Sequence, residues 1–187
     1  MRFRETGLEG AYIVDLDTFD DTRGFFARAY AVDEFEKRGL EPTGVQCNVS
    51  YNRRAGTLRG MHYQVAPATE AKFVRCIRGA VHDAIVDLRP GSPTFLAHVG
   101  VELTADNRTA LYVPPDFAHG YQALTDGAEV FYQVSAPYSP DHERGLRYDD
   151  PLLGIRWPLP VADLSPKDAS WPLLSRERVT PVRGDGV

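Results

Sequence analysis

The chain has 187 residues, enough for one domain with a sizeable core and short for two. Hydrophobic residues make up 43% and charged residues 25%, a globular rather than a disordered composition. The formal net charge of −5 argues against nucleic acid as a partner, and an anionic small ligand would need a local basic cluster set against that sign. No apolar run is long enough to span a membrane. The opening "MRFRETGLEG" has no apolar h-region, so no signal peptide is expected. Cys47 and Cys76 both fall in strand-like stretches and read as buried free thiols in a reducing cytoplasm.

In chain order, "DTRGFF" comes first, carrying Arg23, Phe25 and Phe26. "AVDEFEKRG" then sets Val32, Phe35 and Glu36 at helical spacing, with Gly39 as a stop. "GVQCNVS" alternates strictly, placing Val45, Cys47 and Val49 on one face and Gln46, Asn48 and Ser50 on the other. "GTLRGMHYQ" is a strand with a glycine inside it; a flat strand would send Arg59 and His62 to opposite faces, whereas a bulge at Gly60 would bring both to one. The strand-like segments "AKFVRCIRG", "AVHDAIVDL", "TFLAHVGVEL", "TALYVP" and "GAEVFYQVS" follow, with the turn signals "RPGSP", "TADN", "PPD" and "TDG" between them. The loop "PPDFAHGY" supplies His119. So many short strands predict an all-β sandwich or barrel with a few short helices. Beyond Pro137 the chain is rich in Pro, Asp and Arg, and is expected to wrap the barrel as loops and short helices.

His62 has three readings: a packed core residue, a metal ligand or a general base. Lys72, His119 and Tyr132 lie on neighbouring segments, and if these line one barrel, a base, a cation, a second histidine and a phenol converge, a set suited to acid–base chemistry. A metal set of His62, Glu70 and His119 is the alternative, but His62-Tyr63-Gln64 lacks the second histidine of an H-x-H pair, and Lys72 would repel a cation. No G-x-S-x-G elbow, G-x-G-x-x-G or phosphate-binding P-loop is present. A nucleotide would therefore be held by side chains: Arg23 and Arg59 for phosphates, and Phe25, Phe26 and Tyr138 for a base. The bland alternative for "RGFF" is a solvated turn followed by core phenylalanines. For "ERGLRYDDPLLGIRWP" it is a surface loop fixed by ion pairs of little energetic weight.

"GTLRGMHYQ", "KFVRCIRGAVHDAIVDLR", "VPPDFAHGYQ", "ERGLRYDDPLLGIRWP" and "LSPKD", in that order, resemble the dTDP-4-dehydrorhamnose 3,5-epimerases over residues 3–170, leaving 171–187 as a tail. The resemblance implies a single cupin-type jelly-roll domain, a homodimer sharing N-terminal strands, a nucleotide-sugar substrate with a 4-keto-6-deoxy ring, and neither cofactor nor metal. By similarity His62 is the base, Asp168 orients it, Tyr132 is the acid and Lys72 stabilises an enolate. Arg23, Phe26, Gln46, Asn48, Arg59, His119, Tyr138, Glu143 and Lys167 fall at positions resembling substrate contacts. The pattern departs at Arg28, where family members commonly carry a carboxylate, at Asn52, where serine is more common, and in "HYQVAPATEAKF". These departures bear on substrate identity and leave room for an enzyme that inverts C3 or C5 alone. A sugar-binding protein without activity would be free to lose the base or the acid, and this chain keeps both.

Overall fold

The computed structural model describes residues 1–174; of the expected tail, residues 175–187 lie outside the described residues. The N-terminal part carries β1 (Arg2–Glu5), β2 (Tyr12–Asp15), β3 (Thr18–Asp21), β4 (Gly24–Ala27), helix α1 (Val32–Glu36) and β5 (Gln46–Asn52). The centre carries β6 (Thr57–Gln64), β7 (Lys72–Arg78), β8 (Ala80–Asp87), β9 (His98–Thr104), β10 (Ala110–Val113), β11 (Phe117–Ala123) and β12 (Ala128–Val134). A 3₁₀ turn (Pro140–His142), β13 (Glu143–Gly145), β14 (Asp163–Leu164) and α2 (Pro166–Ser170) follow.

Two sheets form a cupin-type jelly-roll sandwich. Sheet I runs β1-β2-β10-β7-β12-β5, and sheet II runs β13-β6-β11-β8-β9 with β14 beside β6. Between them, Val74 and Leu111 of sheet I meet Val81, Ile85, Leu103 and Phe117 of sheet II. Part of each sheet is also covered outside, so several strands read as apolar on both faces rather than alternating. Phe35 of α1 is fully buried over the outside of sheet I, against Phe73 and Tyr112. No side chain caps this five-residue helix at Ala31, so the burial of Phe35 holds it rather than helix propensity. Gly39 follows at φ +68°, the expected stop. Outside sheet II, Met61, Ala84, Val86 and Ala118 pack under Leu146, Leu153 and Trp157. No helix among the described residues is long and apolar enough to cross a membrane.

Several expectations need correction. His119 lies within β11 rather than in a loop, because the turn ends at Asp116 and the chain pairs with β6 and β8 from Phe117 onward. "ERGLRYDDPLLGIRWP" is not merely a surface loop: Glu143–Gly145 pairs with β6, Leu146 and Leu153 are core residues, and buried Asp150 accepts N–H bonds from Leu152 and Leu174. Cys76 is buried as expected, but Cys47 is exposed. Phe25 and Phe26 are not core residues either; they stand exposed on the separate β3–β4 hairpin.

Candidate active site

The bulge in β6 decides what the strand presents. Along the β6–β11 pairing, His119 faces His62 and Tyr121 faces Arg59, so two residues of β11 span three of β6. The extra residue turns Arg59 and His62 to the same side. Gly60 has φ +121°, and a Cβ there would sit 2.5 Å from Gly120 Cα. Both facts demand glycine, since an L side chain would be strained and would push β6 off β11.

That side faces a cavity of about 800 Å³ between the sheets. His62 Nε2 lies 2.6 Å from Asp168 Oδ1. A carboxylate only accepts, so the neutral ring carries its proton on Nε2 and keeps the Nδ1 lone pair. Asp168 comes from α2, where its own N–H donates to the Ser165 hydroxyl at 3.0 Å. Burial opposes its ionisation, but the His62 bond and charge, with help from Gly60 N–H and Ser165, hold its pKa below the usual carboxylate value. His119 is backed in the same way, by Asp83 at 2.9 Å, and Asp83 is wholly inaccessible to solvent.

Sheet I supplies the opposite wall. Buried Lys72, at the start of β7, is ion-paired with Glu70. Burial pulls its pKa down, against the opposing pull of the Glu70 carboxylate. Tyr132 comes from β12, and its hydroxyl makes no hydrogen bond to another described residue. Burial raises its pKa, and Tyr121 and Glu70 nearby add to the rise. The inward row of β5 contributes Gln46 and Asn48, joined to each other at 2.9 Å, and Ser50.

At the cavity edge Glu143 accepts from Tyr138 at 2.9 Å and from Lys167 at 2.8 Å. Burial would raise the Glu143 pKa, yet these two bonds hold it low. The Tyr138 phenol is pushed up by the same carboxylate. Arg59 differs from the other cations here, because no carboxylate lies within ion-pair distance of it among the described residues.

The structure thus brings His62, Lys72, Tyr132, Asp168, Gln46, Asn48, Arg59, His119, Tyr138, Glu143 and Lys167 to one cavity. Arg23 and Phe26 do not line it. Arg23 pairs with Asp21 and its side chain is 88% exposed, while Phe26 is 73% exposed. The alternative metal set does not assemble: His62, Glu70 and His119 each hold a different partner, and no group of three His, Cys, Asp or Glu among the described residues is arranged for an ion. Sequence reading passed over Asp83 and Tyr121. Asp83 had a signal, since in "AVHDAIVDL" it shares a strand face with Val81 and Ile85. Tyr121 had none beyond its place two residues after His119.

The comparisons with known proteins agree on the family. The family model described as dTDP-4-dehydrorhamnose 3,5-epimerase matches residues 5–176. The protein of that name from Sinorhizobium fredii is 41% identical over 175 residues, covering 93% of this chain and 90% of its own. The crystal structure of the Bacillus anthracis protein of that name, with TDP and PPi bound, superposes with a TM-score of 0.87 at 41% identity, covering 92% of this chain and 99% of that one. A dTDP-4-dehydrorhamnose 3-epimerase from Streptomyces niveus is 39% identical over 179 residues, 95% of this chain and 86% of its own.

Proposed function

The chain belongs to the dTDP-4-dehydrorhamnose 3,5-epimerase family, and from that premise we propose that it inverts C3, C5 or both in a dTDP-4-keto-6-deoxyhexose by proton removal and return. The observation that carries this reading is the division of labour across the cavity: His62 stands on sheet II and Tyr132 on sheet I, on opposing walls. Inversion at carbon requires removal of a proton from one face and return to the other. One group cannot do both without large motion.

In this reading the C4 ketone acidifies the neighbouring C–H bonds. His62 Nδ1 takes the proton, the C–H electron pair forms the C3=C4 or C4=C5 bond, and the carbonyl π pair moves onto the C4 oxygen. Lys72 faces that oxygen, and a cation fixed in place before charge develops lowers the barrier. Asp168 holds the His62 tautomer and stabilises the imidazolium that forms. Tyr132 then donates its proton to carbon on the other face as the enolate collapses to the ketone. An unperturbed phenol pKa near 10 leaves tyrosine protonated, and so able to donate, at neutral pH, and burial raises the Tyr132 pKa, which keeps the phenol in that form. The products on the enzyme are an imidazolium and a phenolate, which exchange protons with solvent to reset the site.

The identities to the 3,5-epimerase and the 3-epimerase relatives are nearly equal, at 41% and 39%, so the number of centres inverted is a second reading of the same site. Running the reaction with dTDP-4-keto-6-deoxyglucose in deuterated water and following it by NMR decides both questions. Deuterium at C3 and C5 gives the double epimerase, and deuterium at one carbon gives the single one. No exchange at either would overturn the proposal.

A homodimer completes it. Strand β5 lies at the edge of sheet I and turns its apolar side outward, with Val49 61% exposed beside Val45, Cys47 and Tyr51. The β3–β4 hairpin exposes Phe19, Phe25 and Phe26. An apolar face this continuous supports a second copy as its cover, and a partner's hairpin would then bring Arg23 and Phe26 to the cavity. Size-exclusion chromatography with light scattering reads the state directly. The cytoplasm is the proposed compartment, in keeping with two unpaired cysteines.

A further inference from the structure

Arg59 is fixed before any ligand arrives. Its Nε–H donates to Asn52 Oδ1 at 2.9 Å, and Nη2 donates to the Tyr51 carbonyl at 3.1 Å. A guanidinium has five N–H groups. Two are used here, so the remaining three, both on Nη1 and one on Nη2, have no protein acceptor among the described residues.

Asn52 is itself locked. It is 1% exposed, and its Nδ2 donates to the Ala128 carbonyl at 3.1 Å, which leaves Oδ1 as the atom turned to Arg59. The Tyr121 hydroxyl stands 3.4 Å from the Asn52 amide and 2.6 Å from Ser50 Oγ. Asn52 and Ser50 belong to β5 in sheet I, whereas Arg59 and Tyr121 belong to β6 and β11 in sheet II. The group therefore ties the two sheets together at the cavity and ends on an uncompensated cation.

We propose that Asn52, steadied by Tyr121 and Ser50, is a positioning residue that orients Arg59 for the diphosphate of the substrate without neutralising it. The inference rests on the reading of Arg59 as a phosphate ligand. Its physical content lies in the choice of acceptor. A carboxylate at this position would orient a guanidinium equally well, but it would cancel the charge and compete with phosphate for the same N–H groups. A neutral amide oxygen fixes the plane of the fork and leaves its full charge to the cavity. Orientation settled in advance reduces the entropy lost on binding, because a free arginine must give up rotamers to grip an anion.

The test compares dTDP with thymidine, which lacks the phosphates, by calorimetric titration of the whole protein. Asn52→Ala is expected to weaken dTDP by about tenfold, the scale of one lost bond to a charged group, and to leave thymidine binding within about twofold. KM for the nucleotide sugar should rise in parallel while kcat moves less than about threefold, a split that general loosening of the fold would not give. Asn52→Asp is expected to weaken dTDP at least as much although it keeps an acceptor, because it neutralises Arg59. Arg59→Ala separates the two levels of the reading. If it loses dTDP affinity and both Asn52 variants retain it, the positioning role is wrong and the phosphate role of Arg59 stands. If Arg59→Ala also retains full affinity, the phosphate role itself is wrong. Should Asn52→Ala fail to fold, Tyr121→Phe removes only the hydroxyl that steadies the amide. A loss of dTDP over thymidine selectivity of about two- to threefold supports the inference, and none overturns it.

Discussion

The two walls of the cavity meet the substrate with different degrees of constraint. On sheet II, His62 and His119 are cross-strand neighbours, and each is backed by a carboxylate from another element, Asp168 on α2 and Asp83 on β8. On sheet I, among the described residues, the Tyr132 hydroxyl makes no hydrogen bond and the Lys72 ammonium is held by Glu70 alone. The difference follows from the tasks proposed for them. A base must offer one nitrogen in one tautomer, so a second residue has to fix the ring. An acid that returns a proton to either of two carbons gains from a hydroxyl that no neighbour claims. A fixed base facing an untethered acid is the arrangement to break.

Removing the base should do the most damage. His62→Ala is expected to lower kcat by about 10³-fold or more with only a few-fold change in KM, in the upper part of the range for a general base. A variant that keeps near-normal turnover would take the base role from His62. The acid should show a different defect. Tyr132→Phe is expected to cut epimerised product by about 10²-fold while deuterium exchange at the abstracted carbon falls much less, because proton removal and return on the His62 side survive. Equal loss of exchange and epimerisation would mean that Tyr132 is not a separate acid on the opposite face.

A smaller effect tests whether the cavity is complete within one chain. Arg23→Ala is expected to weaken substrate binding by about tenfold, as for the loss of one charged contact, although Arg23 is remote from its own cavity. Mixing inactive His62→Ala protein with Arg23→Ala protein should then form hybrid dimers in which one site holds both native residues, and activity at substrate well below KM should exceed that of either parent. No recovery, with subunit exchange verified by mass, would remove the hairpin from the site.

Much of this was legible in the sequence because local physics carried it. The alternation in "GVQCNVS", the glycine stop after Phe35 and the glycine inside "GTLRGMHYQ" are each set by two or three neighbouring residues, and each leads to the element observed. What alternation leaves open is which face turns inward. On β5 the polar side, Gln46, Asn48 and Ser50, lines the cavity, and the apolar side with exposed Cys47 faces out. That inversion depends on the cavity and on what covers the outer face, neither of which is local. Asp83 and Asn52 were visible as residues, but their pairing with His119 and Arg59 was out of reach for the same reason. Asp83 lies 36 positions before His119, and Asn52 reaches Arg59 through a side-chain bond between two sheets. The tie between His62 and Asp168 was reached only through the resemblance, because 106 positions separate them and no periodicity connects a strand to a helix cap that far downstream.

The smallest expected effect probes how firmly the base is held, through the dependence of stability on pH. The folded-state pKa of Asp168 lies below the usual carboxylate value: burial opposes ionisation, but the bond and charge of His62, with Gly60 N–H and Ser165, outweigh it. A depressed carboxylate contributes stability that is fully present above the unfolded pKa and is lost as pH falls through the folded one, because the unfolded chain takes up the proton first. Urea unfolding of the native protein and of Asp168→Asn, run from pH 7 down to about pH 2, should therefore show two midpoints furthest apart at neutral pH that converge once pH falls below about 4. Asparagine cannot titrate, so its share of the acid-side slope is missing. If the gap between the two proteins stayed constant across that range, His62 would not be holding Asp168 in its ionised form, and the constraint on sheet II would come from packing rather than from the carboxylate.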